Sequence, residues 1–398
     1  VMATYKYWRL RQLYSTFVGY AIYYFVRKNL STAFPLMEKE LGIGKAQMGA
    51  FLSLHGILYG LSKFVNGMLA DRSDARRFMV FGLVTSALVN YAFGFSSSVF
   101  WMGVLWVLNG WVQGMGFPPC ARVLSHWYSP KERGVKWGWW NTSHQVGGAL
   151  ILVLGGFVGQ HLGWRAIFWV PATIALLTSL FLWDRLRDTP ESLGLPDVEV
   201  YTGEPVPPKP PEQPFWQTLR SRVFTNPYIW AICFANFFVY VVRYVFFDWW
   251  PTFLHQERHF ELGEAGRLTA LFEVAGLVGS LAAGYLSDRW MGGRRNPVCL
   301  LYLVATAISI LLYWKLPSGG WWQEAMLLSA VGFFIYGPQF LVGVMVTDLA
   351  SKEAAASAIG LTGFFGYLSG IASGWGLGML VDAYGWQASF HMTLGCTV

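Results

Sequence analysis

The sequence predicts an all-α polytopic membrane protein built as two pseudo-symmetric six-helix bundles, twelve transmembrane helices in all with the last one truncated. Three observations carry that expectation. Of 398 residues 54% are hydrophobic and only 13% charged, with 21 Trp, and the mean hydropathy is +0.39, far more apolar than a soluble domain. Apolar runs of about 20 residues, the length that crosses a bilayer at a 1.5 Å rise per residue, recur along the chain. Polar landmarks then reappear 216 to 222 residues later, which points to duplicated halves.

In the first half the spans fall near 13–33, 47–69, 78–97, 100–125, 135–160 and 164–184. Residues 185–228 are polar and dense in proline, from Arg185-Leu186-Arg187-Asp188 to Pro214, as a solvated linker would be. Further spans follow near 229–254, 265–287, 297–315, 322–348 and 353–376, and a twelfth from about Trp386 is cut short at Val398. The expected domains are therefore 1–184, the linker 185–228, and 229–398. The first span follows a basic stretch, Lys6 to Arg11, but it contains Arg27 and Lys28 and lacks a small-residue cleavage site. It reads as a retained helix rather than a signal peptide.

Most of the 29 Lys and Arg lie on the side that holds the N-terminus and the linker, which the positive-inside rule assigns to the cytoplasm. Topology thus accounts for the net charge of +7, and no nucleic-acid partner is needed. Cys120, Cys233, Cys299 and Cys396 are too scattered for a metal site or a disulfide framework. No nucleotide-binding G-x-x-x-x-G-K-[ST] and no Ser-His-Asp grouping occur, so neither an enzyme nor an ATP-driven pump is expected, and no cofactor.

Charge inside the spans marks the candidate site. Tyr20, Tyr24 and Arg27 stand at i, i+4, i+7, and Asn236, Tyr240 and Arg243 repeat the spacing 216 residues later. An intramembrane charge costs at least about 2.5 kcal/mol, so these arginines are functional candidates. A guanidinium is always charged and its planar fork fits phosphate oxygens. One from each half would suit a tetrahedral dianion. His55, Tyr59 and Lys63 form a polar stripe at spacing four in the second span. Lys28 can face a deep carboxylate of the second half, Asp248 or Glu273, as a mobile gating salt bridge. In the fifth span Trp137, Asn141 and His144 align, and Gly147-Gly148 permit close approach of a neighbouring helix. Tyr20, Tyr24, Tyr59, Tyr240, Tyr336 and Gln339 offer neutral hydrogen bonds to a polyol. Trp139, Trp140 and Phe272 could stack on a sugar, although core packing is the commoner use of such rings.

The landmarks also carry a family resemblance. Gly67-x3-Asp71-Arg72 with Arg76-Arg77, and Gly284-x3-Asp288-Arg289 with Arg294-Arg295, resemble the loop signature of the major facilitator superfamily, with Asp74 where a glycine is usual. Lys131-Glu132 with Lys352-Glu353, and Gly163-Trp164 with Gly385-Trp386, repeat in register. More narrowly, YYFVRKN (23–29), YGLSKF (59–64), QGMGFPPCAR (113–122), WNTSH (140–144), VYVVR (239–243) and FIYGPQ (334–339) resemble the organophosphate:phosphate antiporters over essentially the whole chain. That resemblance implies a bacterial inner-membrane antiporter, expected as a monomer, exchanging an organophosphate, most closely a hexose 6-phosphate, for inorganic phosphate. It matches the family's phosphate-binding arginines to Arg27 and Arg243 and its substrate histidine to His144, followed here by Gln145 where Asn is common. It also suggests a rearranging bridge from Lys28. Glycerol 3-phosphate is the alternative solute. A transporter-like hexose-phosphate sensor acting on a membrane histidine kinase is the alternative role, and the absence of an Asp/Lys pair from the eleventh span, Ala356 to Ser373, fits either.

Overall fold

Backbone amides find no water inside a bilayer, so a chain this apolar must cross it as helix or as a closed barrel. The computed structural model of the protein is all-α, with no strand among the residues it describes, 2–70, 73–203, 217, 219–349 and 355–398. Asp71, Arg72, Lys352 and Glu353 of the repeated landmarks lie outside the described residues.

Among the described residues nine helices are long and apolar enough to span a membrane. The other three expected spans differ for visible reasons. The first divides into Met2–Phe25 and Leu30–Leu41, and the fourth into Val99–Gln113 and Phe117–Trp127. The last is the short helix Gln387–Thr397. Two of the nine carry a π-helical turn: Val245–Trp249 follows Pro227–Tyr244, and Ile371–Gly376 follows the helix that ends at Gly370.

Contacts gather the chain into two compact units, Val1–Asn29 with Leu58–Ile151 and Trp164–Lys209, and Leu30–Ile57 with Leu152–Gly163 and Pro210–Val398. In the first unit Met2–Phe25 and Ala75–Phe95 both pack on Ala166–Arg185. Tyr23, Met79, Leu83, Cys120 and Leu182 are buried in its core. Gly147 meets the Ala21 backbone, the close approach that its lack of a side chain permits. The first part of the linker packs on this unit through some of its residues while others, such as Glu191 and Val200, are exposed. Leu186 and Val198 are buried, and the rings of Tyr5 and Tyr201 stack at 3.9 Å. Asp188 accepts Arg122 Nε at 2.8 Å and Nη2 at 3.0 Å, and it also accepts the Ala75 backbone N–H at 3.0 Å.

In the second unit Leu262–Arg289 runs against Trp321–Leu349, and Pro227–Tyr244 against Ala355–Gly370. Segments from early in the chain complete it. A Cβ on Gly374 would lie 2.7 Å from the Gly49 carbonyl oxygen, and one on Gly156 would lie 2.7 Å from that of Leu262, so both crossings are backbone against backbone. Ser53 Oγ donates to the Gly370 carbonyl at 2.7 Å and accepts the Trp375 N–H at 2.9 Å, beside the π-helical turn. Asp382 accepts the N–H groups of Lys45 and Ala46 at 3.3 and 2.8 Å, a carboxylate on the positive end of helix Lys45–Ala70. Glu38 pairs with Lys45 at 2.7 Å and accepts Gln256 Nε2 at 2.5 Å.

Candidate functional site

In the first unit the opening helix ends where its charge begins. Met2–Phe25 stops short of Val26, and the helix resumes at Leu30. A break at membrane depth exposes main-chain groups that must find protein partners. The Val26 carbonyl oxygen accepts Asn90 Nδ2 and Asn109 Nδ2, each at 2.9 Å, filling both of its lone pairs. Asn29 Nδ2 donates to Asn90 Oδ1 at 2.9 Å and to the Ile167 carbonyl at 3.1 Å. Ser86 Oγ donates to Asn109 Oδ1 at 2.6 Å, and Gln113 Nε2 donates to Ser86 Oγ at 2.8 Å. All five of these side chains are buried. Asn90 and Asn109, polar residues inside apolar runs, are the signal of this network in the sequence.

The turn places Arg27 off the helical stripe expected for it, yet its guanidinium still reaches the phenols. It lies 4.0 Å from the Tyr24 ring centroid and 4.5 Å from that of Tyr59, and the residue is only 9% exposed. Such faces attract a desolvated cation. Tyr20 Oη is 3.4 Å from Tyr59 Oη, and the Tyr20 ring meets Tyr24 edge-on. The Tyr24 ring centroid is 5.9 Å from that of His144. His144 follows a second interruption, at Thr142 between Pro130–Asn141 and Ser143–Leu162. Its Nδ1 bonds the Asn141 carbonyl oxygen, which can only accept, so Nδ1 carries a proton and a second proton would go to Nε2. Tyr20, Tyr24, Arg27, Tyr59 and His144 therefore form one cluster. Lys63 lies beside Phe117, its Nζ 3.8 Å from the ring centroid. Asn141 is exposed and joins the cluster through its carbonyl, while Lys28 is half-buried.

The second unit holds its arginine differently. Arg243 stands just before the π-helical turn Val245–Trp249, a departure from α geometry that recurs at functional sites. Its Nε donates to Tyr336 Oη at 2.9 Å, and the Tyr336 hydroxyl in turn donates to Glu273 Oε1. The guanidinium lies 5.0 Å from the Tyr336 ring centroid and 5.5 Å from that of Tyr240. Gln339 Nε2 is 3.5 Å from Tyr240 Oη. Gly276 leaves room for the Tyr336 ring, which a Cβ there would strike. Arg243, Tyr240, Tyr336, Gln339 and Glu273 thus come together, with Asp248 buried in the π-helical turn. Trp140 packs on Tyr20 and Phe117, and Phe272 on Phe246, so both serve the core. Trp139 is exposed.

A profile of the Major Facilitator Superfamily matches residues 16–374. The chain is 42% identical to a probable hexose phosphate transport protein of Chlamydia pneumoniae, over 100% of this chain and 90% of that protein. It is 39% identical to a glycerol-3-phosphate transporter of Bacillus subtilis, over 100% and 91%. This chain belongs to the organophosphate:phosphate antiporter family of the major facilitator superfamily. It is also 38% identical to the membrane sensor protein UhpC of Escherichia coli, over 98% of this chain and 89% of that one. Among solved structures, a bacterial homolog of the human lysosomal transporter Spinster superposes with a TM-score of 0.77 at 17% identity, over 98% of this chain and 88% of that chain, which shows the shared fold. Membership in this family makes the protein a multi-pass membrane protein of the secondary-transporter class.

Proposed function

We propose that the protein exchanges a sugar phosphate, hexose 6-phosphate foremost, for inorganic phosphate across the bacterial inner membrane by alternating access. One observation carries this reading: each half of the sequence sets a buried arginine in a ring of phenols where a helix departs from α geometry. In this reading Arg27 and Arg243 grip the same phosphate group and His144 adds a donor. Lys63, Lys28 and Asn141 sit around the anion. Tyr20, Tyr24, Tyr59, Tyr240, Tyr336 and Gln339 meet the polyol. Two guanidinium groups repel in a dry cleft, and a dianion offsets that repulsion, so closure is favoured only with cargo bound.

The architecture that suits this cycle has twelve crossings in two bundles, 1–184 and 229–398, with the linker 185–228 between them. Residues 2–41 and 99–127 then make one interrupted crossing each, and Gln387–Thr397 begins the twelfth. The N-terminus and linker are cytoplasmic, and one chain is the working unit. Lys28 bridges to Asp248 or Glu273 when the site is empty.

Proteoliposomes preloaded with phosphate test the proposal. Labelled glucose 6-phosphate is expected to enter only against internal phosphate, and rapid phosphate efflux with no external anion would be contrary to it. Glycerol 3-phosphate in the same assay ranks the alternative solute. The likeness to the sensor protein supports a second reading, in which the same site binds hexose phosphate and signals to a histidine kinase. Tight binding of glucose 6-phosphate without counterflow would select that reading.

A further inference from the structure

Helix Ala166–Arg185 ends at one face of the first unit in Trp183, Asp184 and Arg185. Arg76, from the first turn of Ala75–Phe95, sets its guanidinium carbon 4.8 Å from the Trp183 ring centroid. The Asp184 carbonyl accepts both Arg11 Nη2, at 2.6 Å, and Arg187 Nη1, at 2.7 Å. Three elements therefore bring Arg11, Arg76 and Arg187 to two consecutive residues. The nearby carboxylates are already engaged. That of Asp184 is shared by Arg185 at 3.0 Å and Arg11 at 3.4 Å, and that of Asp74 caps a helix by accepting the Arg77 backbone N–H at 2.9 Å. Arg76 Nε is enclosed and has no hydrogen-bond partner among the described residues. Burial, and then the proximity of Arg76 and Arg11, holds the Arg187 guanidinium below its ordinary value.

An excess of cations in one cluster calls for an anion, and the surroundings say which kind. Leu177, Leu180 and Trp183 follow one another at spacing three and are 63%, 70% and 50% exposed, an apolar stripe leading along the helix from the arginines. Arg11 and Arg187 both lie over Trp8, at 4.5 and 5.3 Å from its ring centroid. A free phosphate would use only the charges, whereas a phospholipid uses the charges and the stripe together.

We propose that Arg76 and Arg187, with the charge of the buried Arg11 behind them, hold the phosphodiester headgroup of an anionic phospholipid whose acyl chains lie along Leu180 and Leu177. The site is distinct from Arg27 and its phenols and does not depend on what the antiporter carries.

Delipidated protein in neutral detergent is titrated with cardiolipin and, separately, with phosphatidylcholine, and lipid retention is read by native mass spectrometry. Cardiolipin is expected to be retained at concentrations where phosphatidylcholine is not, and saturating inorganic phosphate is expected not to displace it. The double variant Arg76→Gln/Arg187→Gln should bind cardiolipin about thirtyfold more weakly, given the contribution of each basic residue near an anionic lipid. Arg289→Gln/Arg294→Gln, at the repeated landmark of the second half, should bind it as the wild type does. Should the glutamine pair not fold, Arg76→Lys/Arg187→Lys keeps the charge, loses the planar fork and gives a smaller loss. Unchanged cardiolipin retention in a folded 76/187 variant overturns the proposal. So does an equal loss in the 289/294 control, or displacement of cardiolipin by phosphate alone.

Discussion

Arg27 and Arg243 occupy corresponding places in the two halves of the sequence, yet different parts of the protein position them. Arg27 sits on a main-chain break whose Val26 carbonyl is gripped by two buried asparagines. Arg243 stays in its helix and is steered by a hydrogen bond to Tyr336, itself anchored on Glu273. The difference teaches that one buried guanidinium can be fixed through its backbone and another through its side chain. Nearby substitutions of the same kind should then have unequal consequences.

The largest effect is expected when either guanidinium is removed. Arg27→Gln and Arg243→Gln should each lower phosphate counterflow about a hundredfold or more, the scale of truncating one partner of a buried charge pair. Equal and near-complete losses would support shared work on one anion, and a mild loss at either position would divide the pair. Next, Asn90→Leu with Asn109→Leu removes both donors to Val26. An orphaned buried carbonyl costs about 1–3 kcal/mol, so counterflow should drop roughly tenfold or more. Asn236→Leu, which loses a single bond to the Thr362 carbonyl in the second unit, should cost less.

A sharper contrast comes from one chemical change made twice. Tyr336→Phe deletes the hydroxyl that links Arg243 to Glu273 and should reduce counterflow about tenfold. Tyr24→Phe keeps the aromatic face beneath Arg27 and should reduce it only about twofold. If the two behave alike, the distinction between backbone and side-chain positioning fails. The smallest expected effect is Asp382→Asn, which weakens the carboxylate at the start of Lys45–Ala70. By the usual size of a charge at a helix terminus, it should raise labelling of a cysteine placed at Ala50, beside the Gly49 crossing, about twofold to fivefold. It should leave the contrast between the two arginines unchanged.

Much of this was legible beforehand because cost makes polar residues conspicuous in an apolar chain. The spans, the duplicated landmarks and both arginines stood out in that way, and so did the close approach at Gly147. The interruptions were not legible. Tyr20, Tyr24 and Arg27 have helical spacing, and nothing local in that pattern says that the helix lets go at Val26. The donors that permit it, Asn90 and Asn109, come from distant spans, and a periodic reading of one segment cannot see them. The docking of Asp188 on Arg122 and on the start of Ala75–Phe95 was hidden for the same reason, since proline density suggested only a solvated connection.

The asparagine pair at Val26 also bears on how such a carrier could acquire new cargo. Its amide nitrogens hold main chain and its amide oxygens accept Asn29 and Ser86, so in the proposed reading the anchor of Arg27 is built separately from the phenols that meet the solute. A mutagenic search for altered solute preference should therefore recover changes at Tyr20, Asn141 or Gln339 while Asn90 and Asn109 stay as they are. Diversification would then proceed by changing the residues that face solute and leaving the anchor of Arg27 alone.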